Sequence, residues 1–211
     1  MKLLITPLVA ILILSVTSPD ARCQDTGKSP DAFSQDSAKI KKRALFFADS
    51  LVSADTYMNW SAYADLAPAS VLKHYGSKDA FIEHIEKLHP RTVSAIQEEA
   101  PELTITSLMA KDEQWQCVIR ESRYIHRDDL KKYHIVTYFL CQSRDEGETW
   151  RLFDLGYNKV ANVIYMMPDV IGELPIQEPY IISEEDELAQ AQAKQQAAAR
   201  QAPKKGAPKK K

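Results

Sequence analysis

Glycine is scarce in this sequence, which has six glycines among 211 residues. Phosphate-binding loops, dinucleotide fingerprints and the Gly-x-Ser-x-Gly turn of many hydrolases need closely spaced glycines, and none of these patterns is present. The scarcity excludes nucleotide chemistry built on such loops. The five histidines are scattered, and no group of Cys, His, Asp or Glu residues has metal-ligand spacing. We therefore expect neither a metal nor a cofactor.

The sequence also lacks an apolar run of the roughly 20 residues that a membrane-spanning helix needs. A shorter run, residues 3–16, follows one lysine and leads into a polar stretch that ends at Cys23. This arrangement predicts a signal peptide over residues 1–23 with cleavage near Cys23 and Gln24, and hence an exported protein, periplasmic or secreted. The alternatives are a retained anchor, for which the run is too short, and a lipoprotein attached through Cys23, whose preceding residues suit such a site poorly.

Charge is distributed unevenly behind a nearly neutral total. Residues 24–193 contain 28 acidic and 18 basic side chains, whereas residues 194–211 contain seven basic and no acidic ones. An acidic body therefore carries a basic tail. Because residues 183–211 are polar and have no apolar stripe, we expect an exposed helix followed by a disordered tail. The tail either makes weak contacts with an anionic envelope surface or is only a solvated terminus, and we expect no specific nucleic acid partner.

Apolar periodicity divides the rest of the chain into helices and strands. Residues 24–37 are polar and predict a flexible mature N-terminus. From Ser37 apolar residues recur at three- and four-residue spacing, which predicts a first helix and then shorter helices up to Pro90. We expect residues 92–99 to form one more helical turn. After Pro101 the period changes to two, which predicts antiparallel strands over 102–110, 114–126, 133–143 and 149–157.

Hairpin geometry predicts which residues of these strands lie opposite each other. A first turn centred on Asp112 and a second centred on Asp129 give the pairs Leu103 and Glu121, Ile105 and Ile119, Met109 and Trp115, Cys117 and Cys141, Ile119 and Phe139, Glu121 and Thr137, and Arg123 and Ile135. The odd-numbered residues then share one largely apolar face, which we expect to pack against the helices. The even-numbered face is too apolar to be wholly solvated and predicts a second subunit, hence a homodimer.

The same register brings Cys117 and Cys141 together. Opposed residues of an antiparallel pair have Cβ atoms about 4.5–5.5 Å apart, slightly more than a disulfide needs. An exported protein meets an oxidising compartment, so a disulfide can form. Two buried free thiols are the equally acceptable alternative, because cysteine is often a small core residue.

Three segments of the chain resemble the nuclear-transport-factor-2-like (SnoaL-like, cone-shaped) superfamily. Residues 46–63 resemble its opening helix, Tyr75 to Phe81 (YGSKDAF) is similar to a later helix start, and Glu146 to Leu152 (EGETWRL) is similar to its final strand. The resemblance implies an α+β fold in which N-terminal helices pack on a strongly curved antiparallel sheet, with the domain spanning 38–182 and a C-terminal extension beginning at 158. An acidic pair common in the family is reduced here to Asp65.

The curved sheet of this superfamily encloses a pocket that serves isomerases, dehydratases, ligand binders and assembly modules alike. Two acids are candidates for a catalytic base in such a pocket, Glu121 and Asp154. Burial would raise the pKa of Glu121, but Arg123 lies two residues away on the same face, and we favour a structural ion pair. Final-strand acids of some family enzymes point into the pocket; Asp154 does so in one of two registers that the preceding turn permits.

The remaining candidate residues of the pocket are aromatic, apolar or polar side chains of the helices and the odd-numbered face. They are Tyr57, Trp60, Tyr63, Trp115, Ile119, Arg123, Tyr133, Thr137 and Phe139. We expect an exported, non-catalytic domain that binds a small apolar or amphipathic ligand, or a protein partner. The alternatives are a cofactor-free lyase or isomerase that uses a pocket carboxylate, and an envelope assembly module whose pocket is filled.

Overall fold

The computed structural model describes residues 30–89, 96–97, 100–111, 114–127, 131–170, 172 and 174–201. The predicted signal peptide and the last ten residues of the predicted basic tail lie outside these ranges. The described chain begins with four helices: α1 (Pro30–Thr56), α2 (Trp60–Leu66), α3 (Ala69–Tyr75) and α4 (Lys78–Leu88). Five strands follow: β1 (Ile96–Gln97), β2 (Glu102–Lys111), β3 (Gln114–His126), β4 (Lys132–Ser143) and β5 (Arg151–Asp154). A 3₁₀ turn (Val160–Asn162), α5 (Val163–Met166), β6 (Tyr180–Ser183) and α6 (Glu184–Gln201) complete it.

Helices and strands are segregated along the chain, so the predicted α+β class is confirmed. Within α1 the buried residues recur at the predicted spacing, at Ile40, Ala44, Ala48 and Leu51. The prediction of an unstructured segment up to residue 37 is wrong for its second half, because α1 already begins at Pro30. Proline suits the first turn of a helix, and polar residues can extend a helix whose later turns are held by packing.

Side-chain caps mark the starts of two of the helices that follow α1. The Asn59 side chain accepts a 3.2 Å hydrogen bond from the Ala62 N–H at the start of α2, and Ser77 accepts a 3.1 Å bond from the Ala80 N–H at the start of α4. Each cap satisfies a backbone donor that has no partner within its helix. Gly76 ends α3 with φ of 91°, a left-handed conformation that glycine adopts without strain.

The antiparallel sheet has six strands, and each of its two edges is formed by two strands that lie along different parts of the same central strand. β3 and β4 lie at its centre, β1 and β2 both pair with the outer edge of β3, and β5 and β6 both pair with the outer edge of β4. The prediction of a helical turn over 92–99 is wrong at Ile96 and Gln97, which pair with His126 and Ile125 of β3, respectively. The ladder of β3 supplies hydrogen-bond partners there, which the sequence pattern did not reveal.

The predicted register is confirmed between β3 and β4, where all four predicted pairs occur. Between β2 and β3 it is confirmed at Leu103 and Ile105 but shifts by one residue before Ser107. Met109 therefore lies opposite Gln116, and the predicted pairing of Met109 with Trp115 is wrong. The extra residue is Thr106, whose hydroxyl donates a 3.2 Å hydrogen bond to the Val118 carbonyl oxygen. This is a β-bulge, which the strand alternation alone does not reveal.

The even-numbered face of the central strands is covered by the C-terminal part of this same chain. Val118, Val136, Tyr138 and Leu140 are buried. The Tyr138 hydroxyl donates a 2.6 Å hydrogen bond to Gln177 Oε1, and Gln116 Nε2 donates a 2.7 Å bond to the Asp169 carbonyl oxygen. Because the chain itself buries this face, the apolar character of the face no longer argues for a second subunit. The homodimer stays a prediction that lacks this support. Among the described helices none is both long and apolar enough to cross a bilayer.

Candidate functional site

A cavity of about 260 Å³ lies between the helical layer and the odd-numbered face of the sheet. One part of its wall is apolar, formed by α1, β4 and Pro179 to Ile181 at the start of β6, and the other part carries ionisable groups. The lining residues are Leu51, Val52, Asp55, Tyr63, Glu121, Arg123, Ile135, Val136, Thr137, Phe139, Asp154, Gly156, Tyr157, Pro179, Tyr180 and Ile181. The cavity is therefore amphipathic.

Three carboxyl groups reach this cavity from three different elements. Asp55 comes from the last turn of α1, Glu121 from the middle of β3 and Asp154 from the end of β5. Asp154 lies opposite Phe139 on β4, and Thr137, two residues earlier, lies opposite Glu121. Because residues two apart share a face of a strand, the register puts Glu121 and Asp154 on the same side of the sheet.

Asp154 accepts hydrogen bonds on both carboxyl oxygens. The Tyr63 hydroxyl donates to Oδ2 at 3.0 Å and the Gly156 N–H donates to Oδ1 at 2.6 Å. Loss of solvation, followed by repulsion from Glu121 and Asp55, raises the pKa of Asp154 to about 7, and the two hydrogen bonds only partly oppose this rise. A carboxyl with this pKa exchanges a proton near neutral pH.

Arg123 is the basic residue among those that line the cavity, and it lies between two of the acids. Its Nε is 3.6 Å from Glu121 Oε1 and its Nη1 is 4.0 Å from Asp55 Oδ2. Both distances are longer than a hydrogen bond. Burial raises the pKa of Glu121, Arg123 opposes the rise and Asp55 adds to it. The expected Glu121–Arg123 ion pair is thus present, but it is loose and shared with a third group.

Three buried polar atoms at this site have no hydrogen-bond partner within the described residues. They are Glu121 Oε1, Arg123 Nε and Thr137 Oγ1. The Glu121 side chain is 5% exposed. Buried polar atoms are normally hydrogen-bonded, and leaving one unpaired costs about 1–3 kcal/mol. Their position at one cavity wall indicates a place where a bound molecule can supply the missing partners.

Two tyrosine hydroxyls are committed to the other acids as donors. Tyr157 donates a 2.5 Å hydrogen bond to Asp55 Oδ1, as Tyr63 does to Asp154. Burial raises the pKa of Tyr63 well above its usual range, and it raises that of Tyr157 as well, with a further contribution from Asp55. Both hydroxyls therefore keep their protons at any physiological pH and act as fixed donors.

Gly156 makes the close contacts at Asp154 sterically feasible. A Cβ atom at this position would lie 2.9 Å from Asp154 Oδ1 and 3.0 Å from Thr137 Oγ1. Either distance is shorter than ordinary contact, so a side chain here would displace the carboxyl group or the hydroxyl. The absence of a side chain thus lets the Gly156 N–H approach Asp154 Oδ1 to 2.6 Å without a steric clash.

Six of the residues singled out from the sequence line the cavity together. They are Tyr63, Glu121, Arg123, Thr137, Phe139 and Asp154. Of the two registers left open for β5, the structure has the one that turns Asp154 toward the helices. The arrangement can accept hydrogen bonds from a ligand, hold an apolar group against its other wall, and take up or release a proton at Asp154.

Two predicted pocket aromatics of the helical layer do not line the cavity. Tyr57 follows the end of α1 and is 78% exposed, because the chain turns away from the sheet there. Trp60 packs edge-to-face on His89 with ring centroids 4.7 Å apart, and on Tyr63 at 6.1 Å. Its indole supports the ring of Tyr63 from behind, so it contributes to the site without touching the cavity.

Three predicted pocket residues of the strands also lie elsewhere. Ile119 is completely buried in the hydrophobic core. Trp115 lies opposite Ser143 at the far end of the β3–β4 ladder from Arg123. Tyr133 carries the guanidinium of Arg127 over its ring, 4.8 Å from the centroid, near the other end of β4. A residue on the same face of the sheet therefore does not necessarily line the cavity, because the cavity spans only the middle of the strands.

Sequence reasoning missed Asp55, Gly156, Tyr157 and the wall formed by Pro179 to Ile181. Asp55 gave a usable signal, because it lies four residues after Leu51 and therefore on the buried stripe of α1. Gly156, Tyr157 and the wall from Pro179 to Ile181 gave no such signal. The first two follow the end of β5, and the wall belongs to a segment without apolar periodicity.

Cys117 and Cys141 lie opposite each other as predicted, and both are buried free thiols in the structure. The disulfide alternative is therefore not the one observed. Burial, together with the neighbouring Cys117, raises the pKa of the Cys141 thiol. The Cys141 thiol points to the Phe139 carbonyl oxygen at 3.6 Å. A raised pKa makes the Cys141 thiol a poor nucleophile, and both cysteines belong to the hydrophobic core.

Within the described ranges no three His, Cys, Asp or Glu side chains are placed to share a metal ion. Comparisons with protein-family models, with curated proteins and with solved structures found no match to this chain. The function proposed below is therefore argued from the cavity and its side chains.

Proposed function

We propose that this chain is an exported nuclear-transport-factor-2-like domain that binds a small amphipathic molecule in the cavity between its helices and its sheet. The observation that carries the proposal is the cavity wall on which Glu121, Arg123 and Thr137 each have a buried atom without a hydrogen-bond partner. A ligand that pairs with these atoms would satisfy buried polar groups that no described residue satisfies. The leader-like residues 1–23 support export, and the order of helices and strands supports the family.

The size and chemistry of the cavity limit the ligand. Sites for drug-sized ligands usually measure about 300–1,000 Å³, so a cavity of about 260 Å³ suits a smaller molecule. Its apolar wall includes Leu51, Ile135 and Phe139, against which a ring or a short aliphatic chain can pack. The cavity also argues against an assembly module with a filled pocket, because space of about 260 Å³ is present beside Phe139 and Tyr63.

A fragment screen by protein-observed NMR tests this proposal. Fragments with an apolar body and one polar end should shift the resonances of residues that line the cavity. The variant Ile135→Trp should abolish these shifts by filling the cavity, whereas Ile164→Trp should not, because Ile164 is 68% exposed. Binding that both variants leave unchanged, or no binding at cavity residues, would contradict the proposal.

A second candidate function, cofactor-free proton transfer as in a lyase or isomerase, is favoured by the pKa of about 7 at Asp154. A base is most effective when its pKa is near the working pH. The test is exchange of α-protons of small cyclic ketones for deuterium in D₂O, in which Asp154 takes the proton from carbon and a solvent deuteron replaces it. Exchange above background that Asp154→Asn abolishes supports catalysis. Background exchange in the wild-type protein argues for binding alone.

A further inference from the structure

We infer that the polar end of the ligand is a cation, an alkylammonium or a similar protonated amine, held by Glu121 and Thr137 with Asp55 and Asp154 nearby. This inference rests on the proposed ligand-binding function and names the chemical class of the ligand. It depends on the balance of charge around the cavity, on the hydrogen-bonding capacity that its walls leave unused, and on the register that puts two unpaired acceptors side by side.

The balance of charge at the cavity is negative. Three carboxyl groups line it against one guanidinium, that of Arg123. This guanidinium is already divided between Asp55 and Glu121, at 4.0 and 3.6 Å. Asp154 has two neutral donors, the Tyr63 hydroxyl and the Gly156 N–H. At least one negative charge therefore remains uncompensated when all three acids are ionised, and a cation entering the cavity would compensate it.

Among the described residues the unused hydrogen-bonding capacity includes two acceptor oxygens, beside the N–H donor of Arg123 Nε. Glu121 Oε1 is an acceptor without a donor, and the Thr137 hydroxyl oxygen is a second one. The hydroxyls of Tyr63 and Tyr157, which could otherwise serve a ligand's acceptor, already donate to Asp154 and Asp55. An ammonium group brings up to three N–H donors and no acceptor, which matches what the wall lacks.

The register places these two acceptors within reach of one nitrogen atom. Glu121 and Thr137 lie directly opposite each other on β3 and β4, and such pairs have Cβ atoms about 4.5–5.5 Å apart. An ammonium nitrogen between them can bond to both side chains while its apolar substituent extends toward Ile135 and Phe139, which line the same cavity.

An anionic ligand fits the site less well. Its single charged partner would be Arg123, whose Nε also lacks a hydrogen-bond partner. To reach Arg123 an anion would have to approach two acids that already contact it, and Asp154 lines the same cavity. Repulsion from these groups opposes binding at every pH at which they are ionised.

Three compounds with a common apolar body test the inference: 2-phenylethylamine, 2-phenylethanol and 3-phenylpropanoate. Binding is measured by isothermal titration calorimetry at about pH 8, where the amine is charged and Asp154 is ionised. We expect the amine to bind at least ~10-fold more tightly than the alcohol, and the carboxylate to bind most weakly. Glu121→Gln should reduce the preference for the amine over the alcohol by ~10-fold.

The matched control is Glu86→Gln on the exposed face of α4, which removes the same charge from the protein away from the cavity and should leave the preference for the amine intact. An amine that binds no more tightly than the alcohol, which includes no binding by either, overturns the inference. So does an equal loss of preference in both variants. The proposed function fails separately, when Ile135→Trp leaves all fragment binding unchanged.

Discussion

Tyr63 of α2 donates a 3.0 Å hydrogen bond to Asp154 at the end of β5, although 91 positions separate the two residues in the sequence. The bond joins the helical layer to the sheet at the wall of the cavity. It stabilises the ionised form of Asp154 against the burial and the neighbouring charges that favour the protonated form. The proton equilibrium of the cavity therefore depends on how the helices pack on the sheet.

Tyr63→Phe should raise the pKa of Asp154 above its value of about 7, because the carboxylate loses a donor and keeps its repulsive neighbours. The change in stability should be about 1 kcal/mol, the usual size for one hydrogen bond. The measurement is a ¹³C NMR titration of aspartate carboxyl carbons, with Asp154→Asn used to assign the resonance. Tyr57→Phe is the control, since Tyr57 is exposed, and it should leave the midpoint unchanged. A lower midpoint in Tyr63→Phe would contradict the prediction.

Asp154 should make the protein less stable as pH rises from about 4 to about 7. The folded pKa lies near 7 and the ordinary value is 3.8, so the folded state binds more protons in this window. The stabilising contribution is complete below about pH 4, declines through the window and is gone above it. At about 1.4 kcal/mol per unit of pKa, the rise from 3.8 to about 7 corresponds to a total on the order of 4 kcal/mol.

Urea denaturation of the wild type and of Asp154→Asn at several pH values measures this effect as the difference between the two. The free energy of unfolding of the wild type, relative to that of the variant, should fall as pH rises to about 7 and then stay constant. Asp49→Asn, on the exposed side of α1, is the control and should show no such trend. A difference independent of pH would show that Asp154 is ionised throughout.

Gly156→Ala should destabilise the protein by about 1–3 kcal/mol, the usual cost of forcing atoms into a packed site. Its Cβ would meet Asp154 Oδ1 at 2.9 Å and Thr137 Oγ1 at 3.0 Å. The same substitution at Gly172, where a Cβ atom would meet no atom of the described residues within 4 Å, should have little effect. Thermal unfolding of both variants measures the difference. Equal melting temperatures would mean that the residues around Gly156 can move apart at little cost.

The register of β3 and β4 was predictable because one turn and a strict alternation determine it. The face of the sheet on which Asp154 lies was not predictable, because it depends on the turn between β4 and β5. There Asp145 Oδ1 accepts hydrogen bonds from the Ser143 hydroxyl at 2.8 Å and from the Thr149 N–H at 2.9 Å. Gly147 adopts φ of 87°. Those side-chain bonds determine how many residues the turn consumes, and turn residues alone allowed either count.

The covering of the outer sheet face was not predictable from its own strands. Their even-numbered residues showed that something must cover them, but not which part of the chain. The covering segment makes its specific contacts through Asp169 and Gln177, polar residues without periodicity. A partner subunit and a C-terminal extension leave the same pattern on β3 and β4, so the pattern of these strands alone could not distinguish the two.

Cys117 and Cys141 should both be recovered as thiols. Because both are buried and the pKa of Cys141 is raised, alkylation of the native protein should be slow and should become rapid in denaturant. The measurement is mass spectrometry of the two cysteine-containing peptides after alkylation without reductant. A cross-linked pair of peptides, which only reduction separates, would contradict the prediction and would place the mature protein in its oxidised form.

Glu187→Ala should loosen α6 from the sheet. His134 on β4 is buried, and its Nδ1 is 2.7 Å from Glu187 Oε1 while its Nε2 is 2.7 Å from the Ser122 hydroxyl. Loss of Glu187 leaves a buried ring nitrogen unpaired, which costs about 1–3 kcal/mol. Since Ile182 of β6 pairs with His134, hydrogen exchange of the β6 amides should accelerate by ~10-fold or more.

The control for this variant is Glu185→Ala. Glu185 lies in the same first turn of α6, but its side chain is 80% exposed and its ion pair with Lys131 spans 3.6 Å, so its loss should change exchange little. The comparison bears on the cavity as well, because Tyr180 and Ile181 of β6 form part of its wall. If Glu187→Ala accelerates exchange in β6 and also weakens fragment binding, the docking of α6 holds that wall in place. Equal exchange in the two variants would mean that strand pairing alone fixes β6.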